Sequence, residues 1–230
     1  MLQAKKLNMR YNDVLALKDL SFTVAPGEIF CLLGQNGAGK TTTINIFLGL
    51  LEPSSGEALI DDSSVTNNKS TRNSIAYIPE IVQLYTNMTG LENLDFFSQL
   101  AGFEYTQEEL ESFLKQANLQ EEAFGKKLKK YSKGMRQKVG IAIALAKKAS
   151  YILMDEPTSG LDPKASVEFA NTCKKLSSEG VGILMATHDI FNAVNICARI
   201  GIMKEGSLVH VAETDKISAQ ELQELYIKTI

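Results

Sequence analysis

A short glycine-rich segment constrains the fold of this 230-residue chain more than any other feature. It follows an apolar run, Ile29 to Leu33, that predicts a buried strand, and it precedes a helical pattern that starts near Thr42. Its residues fit the pattern Gly-x-x-x-x-Gly-Lys-Thr and are Gly34, Gln35, Asn36, Gly37, Ala38, Gly39, Lys40 and Thr41. A strand, a glycine loop and a helix in this order predict an α/β fold with an anion site at the end of the strand.

The residue types in this loop suit a phosphate ligand. Glycines let the backbone approach phosphate oxygens, so that amide N–H groups of Gly34 and of residues 36–42, and the positive end of the following helix, face negative charge. Lys40 adds a mobile full charge, and Thr41 offers a neutral oxygen of the kind that Mg²⁺ accepts. We predict that the loop binds a nucleoside triphosphate with Mg²⁺. The alternative is a glycine-rich turn that binds no ligand.

The whole chain has the composition of a globular protein, with 44% hydrophobic residues and a formal net charge of -3. This balance argues against a broad basic surface, so no nucleic-acid partner is predicted. No stretch approaches the roughly 18 consecutive apolar residues of a membrane span, and Met1 to Ala4 opens no signal peptide. We therefore expect a soluble intracellular protein. Its cysteines, Cys31, Cys173 and Cys197, lack metal-like spacing and are predicted to fill apolar space.

The first part of the chain is predicted to be largely β-structure. Short strand-like runs occupy residues 6–11 and 20–24, and Pro26-Gly27 then makes a turn suited to reversing the chain. Further strand-like runs lie at residues 56–60 and 74–78, beyond the first helix. The chain therefore starts with antiparallel β-structure.

A helical pattern then replaces the strands. Thr89 and Thr106 are each followed three residues later by glutamate, which is capping-box spacing, and apolar residues continue at helical intervals. Strand-like and helical runs alternate again over residues 151–203, with a helix start at Asp162-Pro163 and another after Asp189. This alternation predicts a parallel sheet.

Two carboxylates at the end of one of these strands indicate phosphoryl chemistry. The apolar run Tyr151 to Met154 ends in Asp155 and Glu156. Because parallel strands end at one edge of a sheet, Asp155 is expected beside the glycine loop, holding Mg²⁺ directly or through water. Glu156 follows on a turning backbone and is our candidate general base for the water that attacks the γ-phosphorus. The alternative is that two acids merely close a strand in solvent.

Three segments together resemble a known family. The run Asp155 to Asp162, Asp-Glu-Pro-Thr-Ser-Gly-Leu-Asp, resembles the second acidic motif and dimer loop of the nucleotide-binding subunit of the ATP-binding cassette (ABC) superfamily. Residues Tyr131 to Gln137 resemble the signature Leu-Ser-Gly-Gly-Gln of that family. Thr187-His188-Asp189 resembles its switch-histidine motif. The resemblance runs from about Leu7 to Val211.

The resemblance implies a fold and an activity. The implied fold is α/β: a P-loop NTPase core with a mostly parallel sheet, an antiparallel β subdomain at the N-terminus and an inserted α-helical subdomain. One ABC ATPase domain would span residues 1–230, with its core in about 1–84 and 151–230 and the helical insertion in about 85–150. The implied activity is hydrolysis of ATP with Mg²⁺. Lys40 and His188 would act in catalysis beside Glu156, and Tyr11 would stack on adenine. A core histidine and a sheet aromatic are the alternatives for His188 and Tyr11.

The signature segment predicts an anion site from its own residues. Ser132 precedes an apolar helical stripe, so its hydroxyl and the free amides behind it are expected to form an anion site that suits a γ-phosphate. Within one domain this site is not expected to reach the domain's own nucleotide across the helical insertion. The resemblance implies instead that two subunits pack head to tail, each lending Ser132 and Gly134 to the ATP of its partner. Lys133 and Met135, which replace two residues of the family signature, would lie in the same site.

The signature lies in a basic region. Seven cations lie between residues 126 and 138, and all except Lys133 are predicted to form a solvated helical face. These six are Lys126, Lys127, Lys129, Lys130, Arg136 and Lys138.

Glu80 departs from the family pattern. The family usually has glutamine after the strand that ends at Ile78-Pro79, and the glutamine amide contacts Mg²⁺ or the attacking water. Glu80 is still predicted to be a metal ligand with Thr41 and Asp155, but its carboxylate adds negative charge beside a triphosphate unless Mg²⁺ or a basic neighbour offsets it. The segment that follows, residues 81–94, is where family members receive a helix from a membrane partner.

We predict an ATP-hydrolysing subunit that forms an ATP-dependent dimer and docks on a separately encoded transmembrane permease. It would be cytoplasmic and would lie on the inner face of the cell membrane through that permease. Glu80 and the signature residues look most similar to subunits of export-type permeases. The alternative is a soluble cassette ATPase in an assembly role, for example iron–sulfur cluster assembly, without a permease. A kinase or GTPase is a third alternative, but it leaves the segments around Ser132 and His188 unexplained.

Overall fold

The structure is a computed structural model that describes residues 1–66 and 68–230. Ten strands occur in these residues: β1 (Leu2–Tyr11), β2 (Val14–Val24), β3 (Ile29–Leu33), β4 (Ser55–Ile60), β5 (Ser63–Ser64), β6 (Ile75–Ile78), β7 (Tyr151–Asp155), β8 (Gly182–Thr187), β9 (Arg199–Lys204) and β10 (Ser207–Glu213). The same residues contain seven α-helices: α1 (Lys40–Phe47), α2 (Gly90–Leu100), α3 (Gln107–Gln116), α4 (Lys133–Ala146), α5 (Pro163–Ser178), α6 (Ile190–Ile196) and α7 (Ala219–Thr229). None of the helices in this described part of the chain combines the length and the apolar content that crossing a bilayer requires.

The strands form two sheets. The antiparallel sheet has the order β2-β1-β4-β5, and the larger sheet has the order β10-β9-β3-β8-β7-β6. In the larger sheet β9, β3, β8, β7 and β6 run parallel, and β10 pairs antiparallel with β9 at one edge. Strand β3 is buried throughout, as expected for a parallel strand that is covered on both faces. The predicted α/β fold class, with an antiparallel N-terminal sheet, is confirmed.

The N-terminal strands are longer than the sequence predicts, and their hairpin turn lies elsewhere. β1 and β2 pair through a turn at Asn12-Asp13, with Tyr11 opposite Val14. Asn12 has a φ of 51°, a conformation that asparagine tolerates better than most residues. The sequence suggested that the turn at Pro26-Gly27 reverses the chain within antiparallel β-structure, but this turn does not close an antiparallel pair. Since β3 pairs only with parallel neighbours, this turn carries the chain from β2 into the other sheet.

Alternate residues of β3 face two apolar clusters. Phe30 and Leu32 face the cluster between the two sheets, where Phe22 stacks on Phe30 with ring centroids 5.2 Å apart. Ile29, Cys31 and Leu33 face the helices on the other side. All three cysteines are free and buried, as predicted. Packing on both faces holds β3 rigidly and so positions the loop that follows it.

The predicted capping boxes begin α2 and α3. The hydroxyl groups of Thr89 and Thr106 accept hydrogen bonds from the backbone N–H groups of Glu92 and Glu109. In return, each glutamate side chain accepts a hydrogen bond from the backbone N–H of the threonine that caps the same helix. Side chains of α2, α3 and α4 pack in the same apolar cluster as one face of the larger sheet. The boundaries of the helical insertion, at about residues 85 and 150, stay a prediction.

The start of α4 is capped as predicted, but two of its cations are not fully solvated, since Arg136 is half-buried and Lys138 is buried. The Ser132 hydroxyl accepts the N–H of Met135 at 3.2 Å. Lys138, which the sequence placed on a solvated face, is buried against α5, where its Nζ lies 2.6 Å from Oε2 of Glu168. A buried ammonium needs such a partner, because an unpaired charge is costly to remove from water. The four lysines between residues 126 and 130 are exposed as expected, but they precede α4 and do not form the predicted helical face.

Candidate active site

Three neighbouring parallel strands end at one edge of the larger sheet. β3 ends before the glycine loop, β7 ends at Asp155, and β8, which lies between them, ends at Thr187. The segments that follow these strands therefore lie close together. A cavity of about 360 Å³ opens at this edge and is lined by Ala16, Gln35, Asn36, Gly37, Ala38, Gly39, Lys40, Thr41, Thr42, Glu80, Asp155 and Glu156.

The glycine loop has a backbone that larger residues would not tolerate. Gly37 and Gly39 have φ values of 84° and 103°. A Cβ atom at Gly39 would lie 2.7 Å from Cδ2 of Leu17 and 2.8 Å from the carbonyl oxygen of Ala16. Helix α1 begins at the next residue, so the unpaired amides of its first turn open on the cavity.

The turn between β9 and β10 supports the same loop from behind. The N–H of Gly206 donates to the carbonyl oxygen of Ala38 at 3.1 Å, and the carbonyl oxygen of Gly206 accepts the N–H of Lys18 at 2.9 Å. A Cβ atom at Gly206 would lie 2.5 Å from the carbonyl oxygen of Ala16. The glycine loop, β2 and this turn are therefore in direct contact, and the two sheets meet at the cavity.

Lys40 lies within the loop. Its side chain is 6% exposed, and Nζ donates to the carbonyl oxygens of Gly34 at 2.6 Å and Gln35 at 3.2 Å. Nζ also lies 3.7 Å from Oε1 of Glu156. The ammonium group is thus fixed at the cavity wall, where an anion in the loop would meet it.

Thr41 and Asp155 form a direct pair across the cavity. The Thr41 hydroxyl donates to Oδ2 of Asp155 at 2.8 Å. Burial raises the pKa of Asp155, and the negative charges of Glu156 and Glu80 raise it further, whereas the Thr41 hydrogen bond and Lys40 oppose the rise. Crowded carboxylates favour a bound cation, because a cation offsets the repulsion between them.

The donor set fits Mg²⁺. Hydroxyl and carboxylate oxygens are the hard ligands that this ion prefers, and Thr41, Asp155 and Glu80 supply them at the cavity wall. Within residues 1–66 and 68–230, no three His, Cys, Asp or Glu side chains converge as a complete metal cage. An Mg²⁺ ion would therefore take its remaining ligands from phosphate and water, as it usually does in nucleotide sites.

Glu156 is held in a defined orientation. Its φ of 45° is unusual for a residue other than glycine, and its N–H donates to the carbonyl oxygen of Ala186 at 2.8 Å. The Thr187 hydroxyl donates to Oε2 at 3.0 Å, and Nδ1 of His188 lies 2.9 Å from Oε1. These contacts keep the carboxylate at the cavity, next to Lys40. The His188 side chain is 60% exposed, so the alternative of a core histidine is wrong.

Other predicted site residues lie apart from this cavity. Tyr11 is 42% exposed at the β1–β2 hairpin and, among the described residues, is not part of the cavity lining. Ser132, Gly134 and Met135 begin α4, also outside the lining. Lys133 reaches back toward the cavity, with Nζ 3.8 Å from Oε1 of Glu80.

Sequence reasoning missed three contributors to the site. Ala16 lines the cavity because the β1–β2 hairpin lies over the glycine loop, and no local pattern signals that contact. Gln35 lies inside the loop pattern and could have been included. Thr187 belongs to the predicted switch-histidine segment and donates to Glu156. Its hydroxyl ends a parallel strand, and this position alone indicates a polar contact at the edge of the sheet where the site lies.

Comparison with known proteins identifies the family. The pattern that describes the ABC transporter family matches residues 17–159, more than half of the chain. The chain belongs to the ABC transporter family. The match includes the glycine loop, the signature segment and the acidic pair, so the predicted resemblance is confirmed. ATP hydrolysis is the general activity of the ABC ATPase domain.

Individual ABC proteins are similar over most of this chain. Linearmycin resistance ATP-binding protein LnrL of Bacillus subtilis (strain 168) is 32% identical over 222 residues, which cover 95% of this chain and 71% of that protein. A solved ATP-binding subunit of an ABC transporter has a TM-score of 0.85 and 32% identity, with 100% of this chain and 99% of that chain covered. An ATP-binding cassette solved as a dimer in a post-hydrolysis state with ADP and Pi has a TM-score of 0.81 and 28% identity, with 93% and 99% covered.

Proposed function

We propose that this protein is the ATP-hydrolysing subunit of an ABC exporter. Two copies bind two MgATP head to tail and drive a separately encoded membrane permease. The observation that carries the proposal is the convergence on one cavity of a buried lysine, a Thr–Asp pair and a histidine-bound glutamate. A site that binds phosphates, a divalent cation and a reactive water needs these groups together.

The phosphate-binding half of the site consists of the glycine loop and its neighbours. Lys40 and the amides of residues 34–42 bind the phosphate oxygens. Thr41, Asp155 and Glu80 hold Mg²⁺, which offsets phosphate charge when it is bound. Tyr11 stacks on adenine from the exposed end of the hairpin.

The hydrolytic half of the site centres on Glu156. Its carboxylate accepts a proton from the water whose oxygen attacks the γ-phosphorus, while the bond from that phosphorus to the ADP oxygen breaks. His188 and Thr187 hold the carboxylate toward the water. The products are ADP and inorganic phosphate.

The start of α4 supports a site that two copies share. Ser132 and the amides behind it form an anion site that lies outside the chain's own cavity. A γ-phosphate of a second copy is the ligand that suits it, with Gly134 allowing close approach and Met135 beside it. The dimeric state of the similar cassette supports this assignment.

Replacing Ser132 by arginine is expected to spare ATP binding to the isolated subunit and to lower turnover by about 100-fold or more, the usual order for loss of a positioned transition-state contact. The bulky cation blocks the anion site without touching the chain's own cavity. ATP titration and phosphate release measure the two effects separately. Ser112→Arg, at an exposed position of α3, is the matched control and should hydrolyse normally. Normal turnover in Ser132→Arg would place the second half of the site elsewhere.

An exposed apolar groove supports a membrane partner. The groove has a volume of about 550 Å³ and lies between β6, α2 and α4, where Tyr77, Phe97 and Leu100 are among its lining. Leu100 is 74% exposed, and exposed contiguous apolar surface is typical of an interaction site. β6 leads through Pro79 directly to Glu80 at the nucleotide cavity. The described lining of the groove includes none of residues 81–94, where the sequence analysis placed the partner helix. We assign the groove, rather than that segment, to a cytoplasmic helix of the permease, since a helix in an apolar groove is a common recognition mode.

The name of the relative LnrL, a linearmycin resistance protein, supports export as the direction of transport. In the proposed complex the subunit is peripheral on the cytoplasmic face of the membrane and is held there by its permease.

Replacing Leu100 by glutamate is expected to lower co-purification with the proposed permease roughly tenfold, the order of effect for a central apolar contact. The partner is the membrane protein encoded by the adjacent reading frame, which should have about six spans and no cassette of its own. ATP binding by the subunit should not change. Ile227→Glu, at a similarly exposed apolar residue of α7, is the control and should co-purify normally. Undiminished recovery of Leu100→Glu, or an adjacent protein without spans, contradicts the assignment.

A further inference from the structure

Two residues that depart from the family pattern contact each other. Glu80, which stands where the family has glutamine, lies with Oε1 3.8 Å from Nζ of Lys133, which replaces a residue of the signature. The Ser159 hydroxyl donates to the same Oε1 at 2.9 Å. Glu80 lines the nucleotide cavity, whereas Lys133 begins α4. The contact therefore brings a cation from the signature helix to the edge of the chain's own nucleotide site.

We propose that Lys133 is a positioning residue that neutralises Glu80 of its own chain and so allows a carboxylate to stand beside the bound triphosphate. This inference rests on the proposed binding of MgATP and refines it. It differs from the sequence prediction that Lys133 serves the phosphates of the partner copy.

The charge balance of the cavity requires such a neighbour. Three carboxylates line it, those of Glu80, Asp155 and Glu156, and among the described lining residues Lys40 is the one cation. A triphosphate adds further negative charge to this surplus. Mg²⁺ offsets part of it, and the ammonium group of Lys133 supplies a second positive charge beside Glu80, whereas Lys40 lies beside Glu156.

The geometry suits positioning rather than general stabilisation. The side chains of Lys133 and Glu80 are 31% and 51% exposed, so the pair contributes little to folding. Lys133 and Ser159 both contact Oε1, which fixes the carboxylate from one side and leaves its second oxygen for a cation in the cavity. We therefore expect the Lys133–Glu80 pair to affect the affinity for the ligand that binds beside Glu80, and not the stability of the fold.

A double-mutant cycle on the monomeric subunit tests the inference. At concentrations where gel filtration shows a monomer, Lys133→Ala is expected to weaken MgATP binding about three- to tenfold, because the Glu80 charge is no longer offset. In a Glu80→Gln background the same replacement should change affinity by about twofold or less, since no charge remains to offset. Chelating Mg²⁺ should enlarge the loss caused by Lys133→Ala, and added salt should reduce it.

Lys130→Ala is the matched control, since it removes the same charge from an exposed position nearby. It should leave affinity within about twofold of the wild type, as a screened surface charge does. Unchanged monomer affinity in Lys133→Ala, with a defect confined to the turnover of the pair, would overturn the inference and return Lys133 to the partner's phosphates. An equal loss in the Glu80→Gln background would also overturn it. Absence of nucleotide binding in the wild type would instead refute the proposed function, and the inference with it.

Discussion

Replacing Lys40 by alanine is expected to weaken ATP binding by about 100-fold or more, because a charge-assisted contact to phosphate is lost from a nearly buried ammonium group. The ammonium group is nearly buried and is held by two carbonyl oxygens. A cation from solvent would lose hydration on entering this position, so we do not expect it to replace the lysine. The replacement also removes the ammonium group that lies 3.7 Å from Oε1 of Glu156, which increases the repulsion between that carboxylate and the phosphates. Equilibrium titration with a fluorescent ATP analogue measures the effect.

Lys40→Ala must be shown to fold before its affinity is interpreted. Circular dichroism and a thermal melt serve this purpose, and Lys129→Ala, at an exposed lysine far from the loop in sequence, controls for the loss of one positive charge. A folded Lys40→Ala protein with undiminished affinity would refute the assignment of the glycine loop as the phosphate site.

Replacing Glu156 by glutamine is expected to leave ATP binding intact and to lower turnover by two to four orders of magnitude, roughly the contribution of a positioned general base. Glutamine has nearly the same shape, and its carbonyl oxygen can still accept from the Thr187 hydroxyl. An amide cannot accept the proton of the attacking water. Because ATP persists in this variant, it should also elute as a dimer with MgATP and as a monomer without it.

Glu179→Gln is the control for this experiment, since it makes the same change at a half-exposed carboxylate at the far end of α5. Turnover near the wild-type rate in Glu156→Gln would show that another group removes the proton. A Glu156→Gln protein that stays monomeric in saturating MgATP would contradict the shared site, even if its hydrolysis is slow.

Features that form within a few residues could be predicted from the sequence. The capping boxes at Thr89 and Thr106 begin α2 and α3 because each is complete within four residues. The glycine loop and the acids after β7 were predictable for a related reason, since parallel strands bring their carboxyl ends to one edge. The same capping rule would have predicted α7, whose first turn carries a capping box between Ser218 and Glu221.

Contacts between distant elements could not be predicted in this way. Lys138 belongs to a basic run, and nothing within that run shows that α5 would place Glu168 against it. The contact between Glu80 and Lys133 likewise depends on how α4 packs beside the segment after β6. In both cases the sequence supplies the charges, and tertiary packing selects the partners.

The hydrogen bonds of Gly206 have a consequence for how the protein responds to its ligand. Gly206, near the other end of the chain, hydrogen-bonds both the phosphate loop at Ala38 and β2 at Lys18. We therefore expect loop occupancy and docking of the N-terminal hairpin to be thermodynamically linked, and reciprocity makes the effect of each on the other equal. An empty loop is expected to leave the hairpin more open to amide exchange, and a filled one to protect it.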